Sequence, residues 1–354
     1  MPTLFDPLRL GDITLPNRIV MAPLTRSRSG ETRTPGPLVA EYYAQRASAG
    51  LIISEATSVT SRGVGYADTP GLWSEAQVDG WRLTTDAVHR AGGLIFAQLW
   101  HVGRISDPVF LDGQPPVSAS AIAAKGDVSL LRPKRPYPVP RALSLSEIAD
   151  VIEAYRIAAV NAQRAGFDGV ELHGANGYLL DQFLQDGSNH RDDAYGGALE
   201  NRARLMLEAV DASVSVFGAG RVGLHIAPRG DAHDMGDSDL LGTFTYVAKA
   251  ARERGLAFLC AREHLAADSI GSQLKAAFGG VYMVNEGFDA ASATAALADG
   301  TADAVAFGKL FLANPDLPER LRVGAGLNPW RAETFYSGGA EGYTDYPSLE
   351  LSPA

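Results

Sequence analysis

A histidine, an asparagine and a tyrosine fall within six residues of one another in the run Gly169-Val-Glu-Leu-His173-Gly-Ala-Asn176-Gly-Tyr178-Leu-Leu-Asp-Gln-Phe183. Alternation along the apolar stretch puts Val170 and Leu172 on one face of a strand and Glu171 and His173 on the other. A polar row at the end of a buried strand is costly unless it is partnered or used. His173 and Asn176 can donate two hydrogen bonds to one oxygen. Tyr178 holds a proton on a weak acid, suited to protonating carbon once negative charge builds on that oxygen. The plainer reading is a strand-end histidine capped by a loop asparagine, with a tyrosine packed at the rim. His173 has no second histidine or carboxylate at a spacing that reads as a metal site, so no metal is expected.

The elements that must position this run repeat along the chain. Short apolar segments at Arg18–Ala22, Leu51–Glu55, Leu94–Leu99, Gly169–His173, Val222–Ala227, Ala257–Ala261, Val281–Val284 and Ala304–Phe307 read as strands. Longer amphipathic segments between them read as helices: Pro37–Ala49, Glu75–Ala91, Ser144–Ala165, Leu199–Phe217, Asp239–Glu253, Ser269–Phe278, Ala290–Ala298 and Pro315–Arg322. Ser144 with Glu147 forms a capping-box pattern, Ser74 and Ser269 are N-cap candidates, and Gly166, Gly218 and Gly255 stand where C-terminal caps fall. Eight such units in one chain predict an α/β (β/α)8 barrel, in which chemistry sits at the carboxyl ends of the strands. Thr25, Gln98, His173, His225 and Asn285 all fall there. A doubly wound sheet would need a glycine-rich phosphate loop after an early strand, and no G-x-G-x-x-G occurs. Residues 1–17 read as a hairpin closing the amino end of the barrel. Residues 104–143, with seven prolines and no helical period, read as a capping loop after the third strand. Nothing splits residues 1–354 into more than one domain.

Composition narrows the class further. The chain has 354 residues, 46% hydrophobic and 20% charged, which allows a large core. A net charge of −10 argues against nucleic acid or an acidic membrane as partner. No transmembrane stretch and no signal peptide is apparent, and the single Cys260 excludes an intramolecular disulfide and a cysteine-held iron–sulfur cluster. A cytoplasmic location is expected, and a homo-oligomer is compatible with the sequence.

Motifs spread over nearly the whole length carry a more specific message. They are Leu4-Phe-Asp-Pro-Leu, Asn17-Arg-Ile-Val-Met-Ala-Pro-Leu-Thr25-Arg, Gly65-Tyr66-Ala-Asp-Thr-Pro-Gly-Leu-Trp73 and Gln98-Leu-Trp100-His-Val-Gly-Arg104. After the His173–Tyr178 run come Leu184-Gln-Asp-Gly-Ser-Asn-His-Arg191, Tyr195-Gly-Gly, Glu200-Asn-Arg202, Ala304-Val-Ala-Phe-Gly308, Asn314-Pro-Asp and Gly342-Tyr-Thr-Asp-Tyr-Pro347. In this order and spacing the chain resembles the old yellow enzyme family of FMN-dependent ene-reductases.

The resemblance implies non-covalent FMN, NADPH or NADH as reductant, and small activated alkenes (enones, enals, maleimides, nitroalkenes) reduced by a ping-pong cycle. It implies that His173 and Asn176 bind the activating oxygen and that Tyr178 protonates the α-carbon. Thr25 and Gln98 would hydrogen-bond the flavin ring, with Ala56 and the backbone of Pro23 and Leu24 lining it. Asn285, Gly287, Gly308 and Lys309 would bound the phosphate end, and Tyr66, Trp100 and Tyr336 would surround the substrate, with Phe110 a weaker candidate. Three departures stand out. Lys309 and His225 occupy positions where relatives commonly carry arginine, and Asn285-Glu-Gly-Phe replaces a more usual Asn-Gly-Gly-Phe. A histidine stabilises negative charge on reduced flavin only when protonated. Arg229, four residues on, could substitute but should lie in a loop, and Glu286, unfavourable beside a phosphate, is expected to point outward. His225 and Glu286 motivate one alternative, a flavin-binding redox sensor or interaction protein with little turnover.

Overall fold

The computed structural model describes residues 1–230 and 232–349. Its centre is a closed barrel of eight parallel strands. In chain order the strands that matter are β1 (Leu8–Leu10), β2 (Ile13–Leu15), β3 (Ile19–Met21), β4 (Leu51–Ile53), β5 (Thr57–Ser58), β6 (Ile95–Trp100), β7 (Val117–Ser118), β8 (Arg141–Ala142), β9 (Gly169–Gly174), β10 (Val222–Ile226), β11 (Phe258–Arg262), β12 (Val281–Asn285) and β13 (Ala304–Phe307). The ring runs β3-β4-β6-β9-β10-β11-β12-β13 and closes through the β13–β3 and β4–β6 pairings. The expected strands are all present, with shifted ends. Arg262 and Asn285 extend β11 and β12 beyond their expected limits, whereas β4 stops at Ile53, short of Glu55.

Closure works because the interior alternates large and small side chains. Phe96 and Phe258 reach across the barrel with ring centroids 6.1 Å apart. They fit because their strand neighbours carry no Cβ. A Cβ on Gly169 would lie 2.4 Å from the Phe96 ring, and one on Gly223 would lie 2.1 Å from the Phe258 ring. Below this layer, Leu10, Ile13 and Leu15 of the antiparallel β1–β2 hairpin pack among the inward-facing Val20, Leu51 and Met283. The hairpin plugs the amino end, as its apolar alternation implies.

The outer shell is helical: α1 (Pro37–Ala44), α2 (Glu75–Arg90), α3 (Leu145–Arg164), α4 (Leu179–Leu184), α5 (Leu199–Phe217), α6 (Leu240–Glu253), α7 (Gly271–Phe278), α8 (Ala290–Ala298), α9 (Lys309–Ala313) and α10 (Leu317–Val323). Capping boxes start α2 (Ser74 with Gln77) and α3 (Ser144 with Glu147). The expectation at Ser269 needs correction: α7 has Ile270 as its N-cap, although the Ser269 hydroxyl accepts the Gly271 N–H at 3.2 Å. The two short helices α4 and α9 escaped the periodicity reading because fewer than two turns show no clear stripe. Among the described residues no helix is long and apolar enough to cross a membrane.

Residues 104–143 fold over the carboxyl end of the barrel. Ala124, Val128 and Tyr137 from this loop join Ala56, Tyr66, Trp100 and Val102 in one apolar cluster. The buried Arg104 guanidinium ties the loop down by donating to the carbonyls of Ile122, His233 and Asp234, each at 3.1 Å.

Candidate active site

Parallel register sets the floor of the site. Gln98 pairs with Glu171, His173 with His225, and His225 with Cys260, so the inward-facing side chains of β6, β9, β10 and β11 stand side by side. Gln98 Nε2 donates to Glu171 Oε1 at 2.8 Å, and His225 Nδ1 lies 3.2 Å from the same oxygen. Gln98 Nε2 also lies 3.2 Å from His225 Nδ1, so one amide NH2 faces both the buried carboxylate and the imidazole, and His225 Nε2 is buried without a protein partner. Glu171, His225 and Cys260 offer ligand atoms within 4.8 Å of one another, a group with metal-binding donor types. Gln98 Nε2 bonds Glu171 Oε1 and lies against His225 Nδ1, so hydrogen bonding through Gln98 ties together two members of the cluster.

Above this floor lies a cavity of about 830 Å³. It gathers the expected residues other than Phe110: Pro23, Leu24, Thr25, Ala56, Tyr66, Gln98, Trp100, His173, Asn176, Tyr178, His225, Asn285, Gly287, Gly308, Lys309 and Tyr336. Phe110 is not on its wall; it packs behind, against the cluster of Tyr66 and Trp100.

The His173–Tyr178 run is locked from several sides. Asp181 Oδ2 accepts the Gly177 N–H at 2.9 Å, and burial pushes that carboxyl up to about 7. His233 Nδ1 bonds the Asn176 carbonyl at 2.6 Å, and Asn176 itself adopts φ +59°. The Ala175 N–H points at His173 Nδ1, 3.4 Å away. A neutral ring accepting there carries its proton on Nε2, free to donate into the cavity. Burial first, then the neighbouring His225 and Arg262, hold His173 well below the ordinary histidine range, so it is a neutral donor at pH 7.

Tyr178 begins α4 with its ring edge-on to His173 and to Trp100, at centroid distances of 4.9 and 5.0 Å. Its hydroxyl lies 2.9 Å from the Tyr66 hydroxyl. Burial raises the Tyr178 phenol above its usual value, and Tyr66 opposes the rise, because a donor to the phenolate stabilises the charged form. Tyr178 is thus a fully protonated acid with a partner able to support it after the proton leaves.

Two expectations about charge are overturned. Arg229 does not reach the cavity; its guanidinium lies 3.3 Å from Glu263 and 2.6 Å from Asp268. Glu286 does not point outward: it lines the cavity at φ +86° and binds Arg262, with Nη2 to Oε1 at 2.9 Å. Arg262 is itself a cavity residue absent from the sequence reading. Its signal was in the alternation of Phe258, Cys260 and Arg262, and was lost because the strand was ended at Ala261. Ser129, Leu130, His233 and Trp330 also line the cavity. They arrive on loops, where no periodicity marks an inward side chain. Lys309 Nζ lies 5.8 Å from the Trp330 ring centroid, at the cavity end bounded by Gly287 and Gly308.

Residues 3–328 match the model of the NADH:flavin oxidoreductase / NADH oxidase family. The chain is 43% identical over 359 residues to the putative 12-oxophytodienoate reductase 4 of Oryza sativa subsp. japonica, covering 98% of this chain and 93% of that protein. Among solved structures, morphinone reductase in complex with tetrahydroNAD superposes with a TM-score of 0.95 at 48% identity, covering 99% of this chain and 98% of that one. The old yellow enzyme homologue from Zymomonas mobilis gives a TM-score of 0.95 at 44% identity, covering 98% and 100%.

Proposed function

The chain belongs to the NADH:flavin oxidoreductase / NADH oxidase family and is an FMN-dependent alkene reductase driven by NAD(P)H; from that premise we propose which of its residues hold the cofactor and which act on the alkene. The observation that carries the reading is a neutral His173, Asn176 and a protonated Tyr178 on the wall of one cavity whose floor is hydrogen-bonding.

The residues present fit FMN. A cavity of about 830 Å³ is at the large end for small-molecule sites. Ala22, Ala56 and Ala306 line it with small side chains, and Trp100 Nε1 and His225 Nε2, on two of its lining residues, have no protein partner. Thr25, Gln98 and His225 suit the polar ring edge. Gly287 and Gly308 expose backbone near Lys309, which suits the phosphate as a point countercharge. When bound, FMN supplies the hydride relay between the nicotinamide and the alkene. The protein's share is to hold the alkene's activating oxygen between His173 Nε2 and the Asn176 amide, to exclude water beneath the capping loop, and to deliver a proton from Tyr178. Tyr66 then stabilises the deprotonated Tyr178 oxygen by donating to it. Tyr66, Trp100 and Tyr336 shape the alkene's space. A sensor without turnover would have no use for the Tyr178 acid beside a polarising pair.

The cofactor assignment has a direct test. Acid or heat should release FMN, one per chain, from purified protein, leaving no flavin attached. Release of FAD, or no uptake of FMN on reconstitution, would show that the Lys309 end of the cavity does not hold a phosphate.

His225 yields a second expected result. His225→Arg places a permanent cation where an imidazole now stands. The bound flavin's midpoint potential should rise, because a fixed positive charge favours the more negative, reduced form. About 30 mV corresponds to about 1.4 kcal/mol for a two-electron couple, so a single contact is measurable. Dye-equilibration titration of both proteins decides it, and equal potentials would mean that residue 225 does not act on the flavin. The preference between NADPH and NADH is left to the same preparations, by comparing reduction rates with each.

A further inference from the structure

Arg262 ends β11 and bridges two residues that also stand on the cavity wall. Its Nη1 donates to Asn176 Oδ1 at 2.8 Å and its Nη2 to Glu286 Oε1 at 2.9 Å. Arginine carries only donors, so the amide atom turned toward it must be the oxygen. That fixes the Asn176 amide one way round, with its NH2 group on the opposite side. Among the described residues no protein acceptor takes that NH2. The backbone of Asn176 is held independently by His233, through Nδ1 to the carbonyl at 2.6 Å. Glu286 in turn sits at φ +86°, a conformation unfavourable for a residue with a Cβ, and its carboxylate is spent on Arg262. A strained acidic residue thus holds a strand-end arginine, which in turn donates to one asparagine oxygen.

We propose that Arg262 is a positioning residue for the oxygen clamp. It locks the Asn176 amide so that NH2 faces the substrate oxygen, and by drawing electron density toward Oδ1 it makes that NH2 the stronger donor. Glu286 keeps the guanidinium in place and balances its charge. The inference rests on the reading of His173 and Asn176 as the site for the alkene's activating oxygen. It also accounts for Glu286, whose presence at this loop the phosphate chemistry alone would disfavour.

A double-mutant cycle on the flavin-loaded protein tests it, with 2-cyclohexenone as the probe. Its dissociation constant from oxidised protein is read by perturbation of flavin absorbance, and KM and kcat by turnover. Arg262→Met should weaken binding about tenfold when Asn176 is present, the size of one well-placed hydrogen bond. The same change should have no effect in an Asn176→Ala background, since nothing remains for Arg262 to orient. Arg262→Lys, which keeps one cationic donor, should recover part of the loss. Flavin content and melting temperature should stay at the parent values, because the Arg262 side chain is 36% exposed. If Arg262→Met loses flavin, Arg262→Lys carries the same comparison across the two backgrounds. Unchanged enone binding with Asn176 present, or an equal loss in both backgrounds, would overturn the proposal. Failure of the parent protein itself to bind 2-cyclohexenone would instead remove the clamp reading beneath it.

Discussion

His173→Ala and Asn176→Ala should each slow enone reduction by about 10²–10³, the usual loss when one donor to a developing oxyanion is removed, or roughly 3–4 kcal/mol of transition-state stabilisation. The physical basis is the environment of the pair. His173 is buried and neutral, and its Nδ1 is turned to the Ala175 N–H, so its one N–H has no other use than the cavity. Removing a donor there leaves the developing charge on the substrate oxygen short of one hydrogen bond in a buried site. Loss in kcat/KM should exceed loss in substrate affinity, since the bond strengthens as charge develops. Stopped-flow measurement of reoxidation by 2-cyclohexenone checks this step alone. Enone kinetics unaltered in both variants would show that the activating oxygen lies elsewhere in the cavity.

Tyr178→Phe should keep fold and flavin yet slow enone reduction by about 10²–10⁴, the range for loss of a positioned proton donor. The ring's packing against His173 and Trp100 is retained in phenylalanine, so stability should barely change. Reduction of the bound flavin by NAD(P)H should be nearly unaffected, because that step asks no proton of Tyr178. Nitroalkenes should suffer less than enones, since the nitronate product is stable enough to leave and be protonated in water. The pH profile follows from burial. Because the phenol is raised above its usual value, the acid form persists through neutral and mildly alkaline pH. The proton-transfer step should therefore show no decline there attributable to Tyr178. Equal losses in both half-reactions would assign Tyr178 to binding or folding rather than to proton transfer.

Much of this was available from residue order alone. Short continuous apolar runs located the barrel strands, because a parallel barrel buries both faces of each strand. Once eight β/α units were recognised, the fold itself directed attention to the carboxyl strand ends. Thr25, Gln98, His173, His225 and Asn285 then belong to one site, because closure of a parallel barrel brings all those ends to one face.

What the chain order could not decide was which charges meet. Arg229 and Arg262 are both near strand ends, and only the three-dimensional arrangement sends one to Glu263 and Asp268 and the other to Asn176 and Glu286. The sequence separation of Asn176 and Arg262 is 86 residues, and their contact depends on strand tilt, register and loop path together. Likewise, a glutamate beside an expected phosphate reads as a charge to be turned away, until the folded chain supplies a guanidinium to hold it. The capping loop shows the same division. Its prolines mark it as irregular, but only packing of Val128 and Tyr137 on Trp100 and Tyr66 brings Ser129 and Leu130 over the cavity. Local pattern determines where the backbone hydrogen bonds go. Side-chain pairing between distant segments is settled by the closed geometry, where each buried charge must find the one partner within reach.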